Sequence, residues 1–309
     1  MPDGEERQVR EIGSRRIAFQ GAFCQTPEIL TVKGNTMRLL VLADNNTLID
    51  RYYLGEPAAC YYLEDGDARI LLDAGYSDVF IRNAETLGLD LAALAHVAIS
   101  HGHNDHTRGL AFLHGHVGPK RLSVVAHPDA FADRHEDGLA IGCPLERSFL
   151  EEKYDLTLTK EPFALSEHII FLGEIPRYND FERSKPVGTL REKDGEKPDF
   201  VPDDTALACM TDRGLFVVTG CSHSGICNII EHARHVCGMD RVLGVVGGFH
   251  LFGVTEQLRK TVRYFEENDI RNLYPCHCVS FAAKAEIHKR IPIHEVGAGL
   301  EIPLRAPEW

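Results

Sequence analysis

No stretch of about 18 consecutive apolar residues occurs anywhere in these 309 residues, so no membrane-spanning helix is expected. The segment MPDGEERQVREIGSRR is charged and lacks the apolar core of a signal peptide, which makes a cytoplasmic protein the default. Positive charge is also short. Lys and Arg number 33 against 46 Asp and Glu, and a formal net charge of -13 argues against a broad nucleic-acid footprint. Internal repeats and low-complexity tracts are missing, which removes solenoids and extended linkers. The nine cysteines are odd in number and scattered, so they form no disulfide framework and are expected as reduced, mostly buried thiols.

What remains is a globular chain, 44% apolar, long enough to bury a sizeable core. Residues 1–36 have mixed charge and weak periodicity and are expected as an N-terminal extension; 37–309 are expected as one domain. Apolar, strand-like runs recur at Arg38 to Ala43, Cys60 to Leu63, Arg69 to Leu72, His96 to Ser100, Leu122 to Ala126, His168 to Leu172, Ala206 to Thr211, Leu215 to Thr219, Val242 to Val246 and Asn272 to Tyr274. Helix-like stretches fall at Ser77 to Leu87, Asn228 to Val236 and Thr255 to Glu267; in the last, Leu258, Val262 and Phe265 define one buried face. Strands in both halves, with helices following them, predict an α/β protein of two mixed sheets packed together and flanked by helices. Tyr178 to Pro202, rich in charge, Pro and Gly, reads as a long loop.

The run Ile99-Ser100-His101-Gly102-His103-Asn104-Asp105-His106-Thr107 follows one of these strands and packs three histidines and a carboxylate into six residues. In extended chain His101 and His103 point to one side, while Asp105 and His106 follow where the chain turns into a helix. One loop can thus serve two adjacent metal ions, with zinc the first choice for imidazole and carboxylate ligands and manganese or iron as alternatives. The same pattern in a merely solvated loop would not require an acid at that place. His114 and His116 mimic the pair without the acid and are read as solvated.

Leu72-Asp73-Ala74-Gly75 followed by Ser100-His101-Gly102-His103-Asn104-Asp105-His106 resembles the opening motifs of the metallo-β-lactamase superfamily. Asp44-Asn45-Asn46, Ala126-His127-Pro128, Gly173-Glu174-Ile175-Pro176-Arg177, Thr219-Gly220-Cys221-Ser222-His223-Ser224-Gly225-Ile226, Gly247-Gly248-Phe249-His250-Leu251 and Pro275-Cys276-His277-Cys278 are similar to one branch of it, which includes a dihydropterin-methyl transferring synthase of methanopterin biosynthesis. The resemblance implies an αββα sandwich with two divalent metal ions at one edge. It implies His223 and His277 as further ligands. Many members have a metal-bridging Asp where this chain has Cys221, which leaves Cys221 as either a thiolate ligand or a buried thiol.

Asp73 is read as a hydrogen-bond support for the histidine loop rather than a ligand. Asp105 and His250 are the candidate catalytic residues, Asp105 as ligand and proton acceptor and His250 as a group that binds substrate or metal. Arg177, with its planar fork, Glu174, Arg108 and His127 are candidates for binding substrate. The implied activity is that of a metal-dependent hydrolase or transferase acting on an anionic, phosphorylated small molecule, with neither nucleic acid nor membrane as partner. The rival is a non-catalytic, redox-responsive ligand-binding protein on the same fold using Cys221, Cys276 and Cys278. A nuclease is a third reading, weakened by the acidic balance.

Overall fold

The computed structural model describes residues 36–118, 121–182, 185–192 and 195–307. The expected extension over 1–36 lies outside the described residues except for Thr36, which opens the first strand. Among the described residues two sheets form the body. One has seven strands in the order Glu301–Arg305, Thr36–Ala43, Cys60–Asp65, Ala68–Leu72, His96–Ala98, Leu122–Ala126 and Tyr154–Leu158. The other has six, in the order Asn272–Pro275, Val242–Gly247, Gly214–Thr219, Ala206–Thr211, Ile169–Phe171 and Phe163–Ala164.

Both sheets are apolar on both faces, which is why their strands read as continuous apolar runs rather than as alternating ones. Leu39, Val41, Tyr61 and Leu63 point inward and meet Leu207, Phe216 and Val218 of the other sheet. Their neighbours Leu40, Leu42 and Tyr62 point outward onto Phe80, Ile81 and Ala84 of helix Val79–Thr86. On the far side Leu215, Val217 and Val245 are covered by helices Ile226–Cys237, Glu256–Glu267 and Phe281–His288. The result is the four-layer αββα sandwich. Thr255 starts the second of those helices by accepting from Leu258 N at 3.2 Å, and Ser280 starts the third in the same way from Ala283 N at 3.2 Å. Helix Ile226–Cys237 has no cap of its own; the Glu182 carboxylate accepts from Cys227 N at 3.0 Å and Asn228 N at 2.9 Å instead.

Each sheet has a parallel part, and these parts place the site. Ala68–Leu72 pairs parallel with His96–Ala98, which pairs parallel with Leu122–Ala126. Gly214–Thr219, Val242–Gly247 and Asn272–Pro275 are likewise parallel. The segment expected as one long loop over 178–202 differs in part: Thr189–Glu192 and Gly195–Pro198 form a hairpin that pairs with Arg134–Glu136 in a small four-stranded sheet. Gly195–Pro198 is exposed throughout, so it carries no apolar alternation to reveal it. No helix among the described residues is long and apolar enough to cross a membrane.

Candidate metal centre

The chemistry-bearing side chains follow the carboxyl ends of those parallel strands: Asp73 after Leu72, the histidine loop after Ala98, Cys221 and His223 after Thr219, His250 after Gly247, and His277 and Cys278 after Pro275. Asp73, Ser222, His250 and His277 have φ of 63, 56, 49 and 50°, the left-handed region that non-glycine residues seldom occupy. Such strain collected at one place is characteristic of functional sites. Gly102 allows the loop its close approach, because a Cβ there would collide with the Ala130 carbonyl oxygen and the Arg134 guanidinium.

Two groups of donor atoms converge there. His101, His103 and His223 form one, and Asp105, His106 and His277 the other, with the donor atoms in each within 4.8 Å of one another. His101 Nε2 and His103 Nδ1 are 3.0 Å apart; Asp105 Oδ2 is 3.5 Å from His106 Nε2 and 3.3 Å from His277 Nε2. Nitrogen or oxygen ligands about 2.0–2.1 Å from one tetrahedral ion stand about 3.3–3.4 Å apart, so both groups are close to the spacing zinc requires. His223 Nε2 is buried without a hydrogen-bond partner, as is His103 Nε2. The His223 ring centroid stands 4.7 and 4.8 Å from those of His101 and His103, and a metal there would recover the free energy its orphaned nitrogen costs.

The outer nitrogens are already engaged. Asp73 Oδ1 accepts from Ser100 N, and its Oδ2 accepts from Ser100 Oγ and His106 Nδ1, all at 2.7 Å. Ser100 Oγ in turn meets His101 Nδ1 at 3.0 Å. Asn45 Oδ1 accepts from His277 Nδ1 at 3.0 Å, and Asp44 Oδ1 from His277 N at 2.9 Å. Protons held at these Nδ1 atoms leave the Nε2 lone pairs of His101, His106 and His277 facing inward. Behind the loop, fully buried Arg134 pairs with Asp199 at 2.7 Å and with Asp203, whose other oxygen accepts from Gly102 N at 2.8 Å. Asp204 Oδ2 accepts from Ser224 N at 2.8 Å and so fixes the Cys221–Ser224 turn.

Electrostatics divide the centre. Burial holds His101 and His223 well below their ordinary value and brings His103 down to about 3, so the first group is neutral imidazole. Burial also disfavours charge on His106, but the carboxylates of Asp105 and Asp73 outweigh it and raise that ring to about 9, so a metal at its Nε2 takes the place of a proton. Asp105 is buried too, yet His106 and His277 keep it well below the usual carboxylate range.

A cavity of about 490 Å³ opens over the cluster, lined on its apolar side by Pro57, Tyr76, Ile141, Val187 and Phe252, and by His250 near His223. The ring centroids of His223 and His250 are 4.3 Å apart, and burial draws His250 down to about 4.

The structure does not bring every expected residue to this cavity. Arg177 is not among its lining residues; its Nε donates to the Asn179 carbonyl at 3.0 Å and an NH2 to that of Asp180 at 3.1 Å, so the guanidinium closes its own loop. Glu174 pairs with Lys160 at 2.8 Å and His127 at 3.1 Å, and both Glu174 and His127 lie apart from the donor groups. Arg108 stacks on the Tyr76 ring, 4.4 Å from its centroid, at the rim. Cys276 is buried in the inter-sheet core 3.2 Å from Tyr61 Oη, so the imagined trio with Cys221 and Cys278 does not assemble. His114 and His116 are exposed. The supporting roles of Asp44, Asn45, Arg134, Asp203 and Asp204 were missed. Asp203-Asp204 just before a buried strand and Asp44-Asn45 directly after one were the available signals.

A family model described as the metallo-beta-lactamase superfamily matches residues 54–231. An uncharacterized protein of Methanocaldococcus jannaschii is 32% identical over 252 residues, which cover 80% of this chain and 92% of that protein. From the same organism, the 7,8-dihydropterin-6-methyl-4-(beta-D-ribofuranosyl)-aminobenzene-5'-phosphate synthase is 29% identical over 227 residues, 70% of this chain and 77% of the synthase. Among solved structures, one described as a metal-dependent hydrolase of the beta-lactamase superfamily superposes with a TM-score of 0.74 at 28% identity, covering 87% of this chain and 99% of its own.

Proposed function

The chain belongs to the metallo-β-lactamase superfamily, and from that premise we propose that it is a dinuclear metal-dependent enzyme acting on an anionic, phosphorylated small molecule. The observation that carries the reading is the pair of adjacent donor groups, His101, His103, His223 and Asp105, His106, His277, each with ligand-like spacing. Zinc suits the donor set. Two such ions, held by those residues, would supply Lewis acidity to a phosphoryl oxygen and its leaving group.

The side chains do the rest. Asp105 turns Oδ2 toward His106 and His277, which leaves Oδ1 to accept a proton from the incoming nucleophile. The proton taken up at Asp105 passes on to the departing group, and His250, a neutral imidazole in the cavity wall, hydrogen-bonds that group. Tyr76, Phe252, Ile141 and Val187 exclude water and receive the organic part of the substrate. No Lys or Arg lines the cavity among the described residues, so the substrate's charge is met by the metals and, at the rim, by Arg108.

The 29% identity to the synthase favours a second reading of the same site. There it would join a dihydropterin-methyl unit to a ribofuranosylaminobenzene phosphate instead of delivering water. Turnover of phosphomonoesters and phosphodiesters, with and without chelator and with zinc restored, tests the hydrolytic reading; coupling of the two synthase substrates tests transfer. Activity must vanish on chelation and in the His101→Ala/His103→Ala variant. Equal turnover by the metal-free chain overturns the proposal.

A further inference from the structure

The second donor group has two sulfurs beside it. Cys221 Sγ lies 3.3 Å from His106 Nε2, the nitrogen left facing inward once Asp73 has taken Nδ1. A sulfur at about 2.3 Å and a nitrogen at about 2.05 Å from one tetrahedral ion stand about 3.6 Å apart, so the pair is spaced as co-ligands are. Cys221 also belongs to two donor groups at once: His101, His106, Cys221 on one side and Cys221, His277, Cys278 on the other. Its sulfur therefore sits between the two triads. Cys278 Sγ lies 3.3 Å from the His250 backbone N–H and 3.5 Å from the Cys221 carbonyl oxygen, and it lines the cavity. Gly248 makes room for it, because a Cβ there would strike that sulfur.

We propose that Cys221 and Cys278 are thiolate donors to the second metal position, with Cys221 placed to bridge the two ions, so that the centre selects thiophilic metals. This rests on the dinuclear reading. Each thiol loses its proton to solvent as its sulfur–metal bond forms, so loading releases protons and changes no oxidation state. Soft sulfur favours zinc, cobalt or iron(II) over manganese, which a centre bridged by a hard carboxylate would accept. A buried, inert thiol would instead be expected in the apolar core, as Cys276 is with only the Tyr61 hydroxyl beside it, and not against imidazole nitrogen.

The test uses the full chain, stripped by chelator and reloaded with cobalt(II) alone. A thiolate-to-cobalt charge-transfer absorption in the near ultraviolet is expected, weakened in Cys278→Ser and abolished in Cys221→Ser/Cys278→Ser while cobalt remains at His101, His103 and His223. X-ray absorption of the zinc-loaded wild type needs no variant to fold, and should show a sulfur shell at about 2.3 Å. In zinc–manganese competition, the double serine variant should lose about 10-fold or more of the preference for zinc. Two metals per chain with only nitrogen and oxygen shells at about 2.0–2.1 Å and no charge-transfer band would overturn the proposal and leave the dinuclear reading intact. No retained metal at all would overturn both.

Discussion

Replacing Asp73 by Asn tests how far the centre depends on groups that never touch a metal. The carboxylate is fully buried and accepts three hydrogen bonds of 2.7 Å, from Ser100 N, Ser100 Oγ and His106 Nδ1. An Asn oxygen can keep the Ser100 N–H, and the Ser100 hydroxyl can rotate to accept from the new amide. The His106 Nδ1–H has no such recourse: it either faces an NH2 group or moves its proton to Nε2, the atom that must point at the metal. Losing one charge-assisted bond of this kind costs about 1.5–3 kcal/mol. Outer hydrogen-bond partners of metal ligands are worth about 10–100-fold in affinity, or about 1.4–2.7 kcal/mol. The loss should fall mainly on the position served by Asp105, His106 and His277, because His101 is linked to Asp73 only through Ser100 Oγ. Backbone strain does not confound the result, since φ at Asp73 is 63° and Asn tolerates that region as well as Asp. Chelator competition resolves the two affinities, and thermal unfolding of the metal-free variant verifies the fold. Unchanged affinities at both positions in a folded variant would refute the reasoning, and an equal loss at both would refute its direction.

Arg177→Ala should leave KM and kcat of an identified substrate unchanged, because its guanidinium is held by the Asn179 and Asp180 carbonyls; a raised KM would return it to the site. Gly102→Ala should abolish loading at His101 and His103 in metal analysis, since the added methyl cannot coexist with the Ala130 carbonyl. Glu182→Ala removes the acceptor for two backbone N–H groups of helix Ile226–Cys237 and should lower stability by about 1–3 kcal/mol in urea titration. Burial raises the Glu182 carboxyl above 4.5, so its contribution to stability is fully present below that value and is lost as pH rises through the folded value; Glu182→Gln should remove this part of the pH slope, and an unchanged slope would exclude the residue as its source.

The doubly buried strands were legible because apolar residues fill both faces, and helices Val79–Thr86, Ile226–Cys237 and Glu256–Glu267 because one face is apolar. Other elements gave no such mark. Glu301–Arg305 holds Pro303, which argues against a strand; it is tolerated because this strand lies at the sheet edge. Helix Phe281–His288 buries only Ala283 and Ile287 and has no apolar stripe. The histidine loop could be read because its donors are adjacent in sequence, whereas Arg134 meets Asp199 and Asp203 across 65 and 69 residues and shows no local pattern. Arg177 misled for a different reason. A guanidinium after a Pro turn looks available for an anion, and sequence does not reveal that two carbonyls further along the same loop already hold it.

The distant donors have a common cause that connects the fold to the chemistry. A parallel strand ends with its carbonyl and the next residues at one edge of the sheet, and in open α/β sheets that edge is where ligands bind. Here two parallel groups, one in each sheet, run their carboxyl ends to the same edge of the sandwich. Thr219, Gly247 and Pro275 are register partners in adjacent strands, so the residues that follow them are brought together whatever their separation in sequence. Once Thr219 lies beside Gly247 and Gly247 beside Pro275, Cys221, His223, His250, His277 and Cys278 have only one shared space to enter, and the loop after Ala98 meets them from the facing sheet. A change that shifted this register by one residue would exchange the helix-facing and inter-sheet faces of the strand, spoiling the packing on both, and would displace the donors with them. The metal centre is therefore protected by the same apolar packing that holds the sheets together, and loss of metal binding without loss of fold is expected only from changes in the turns themselves.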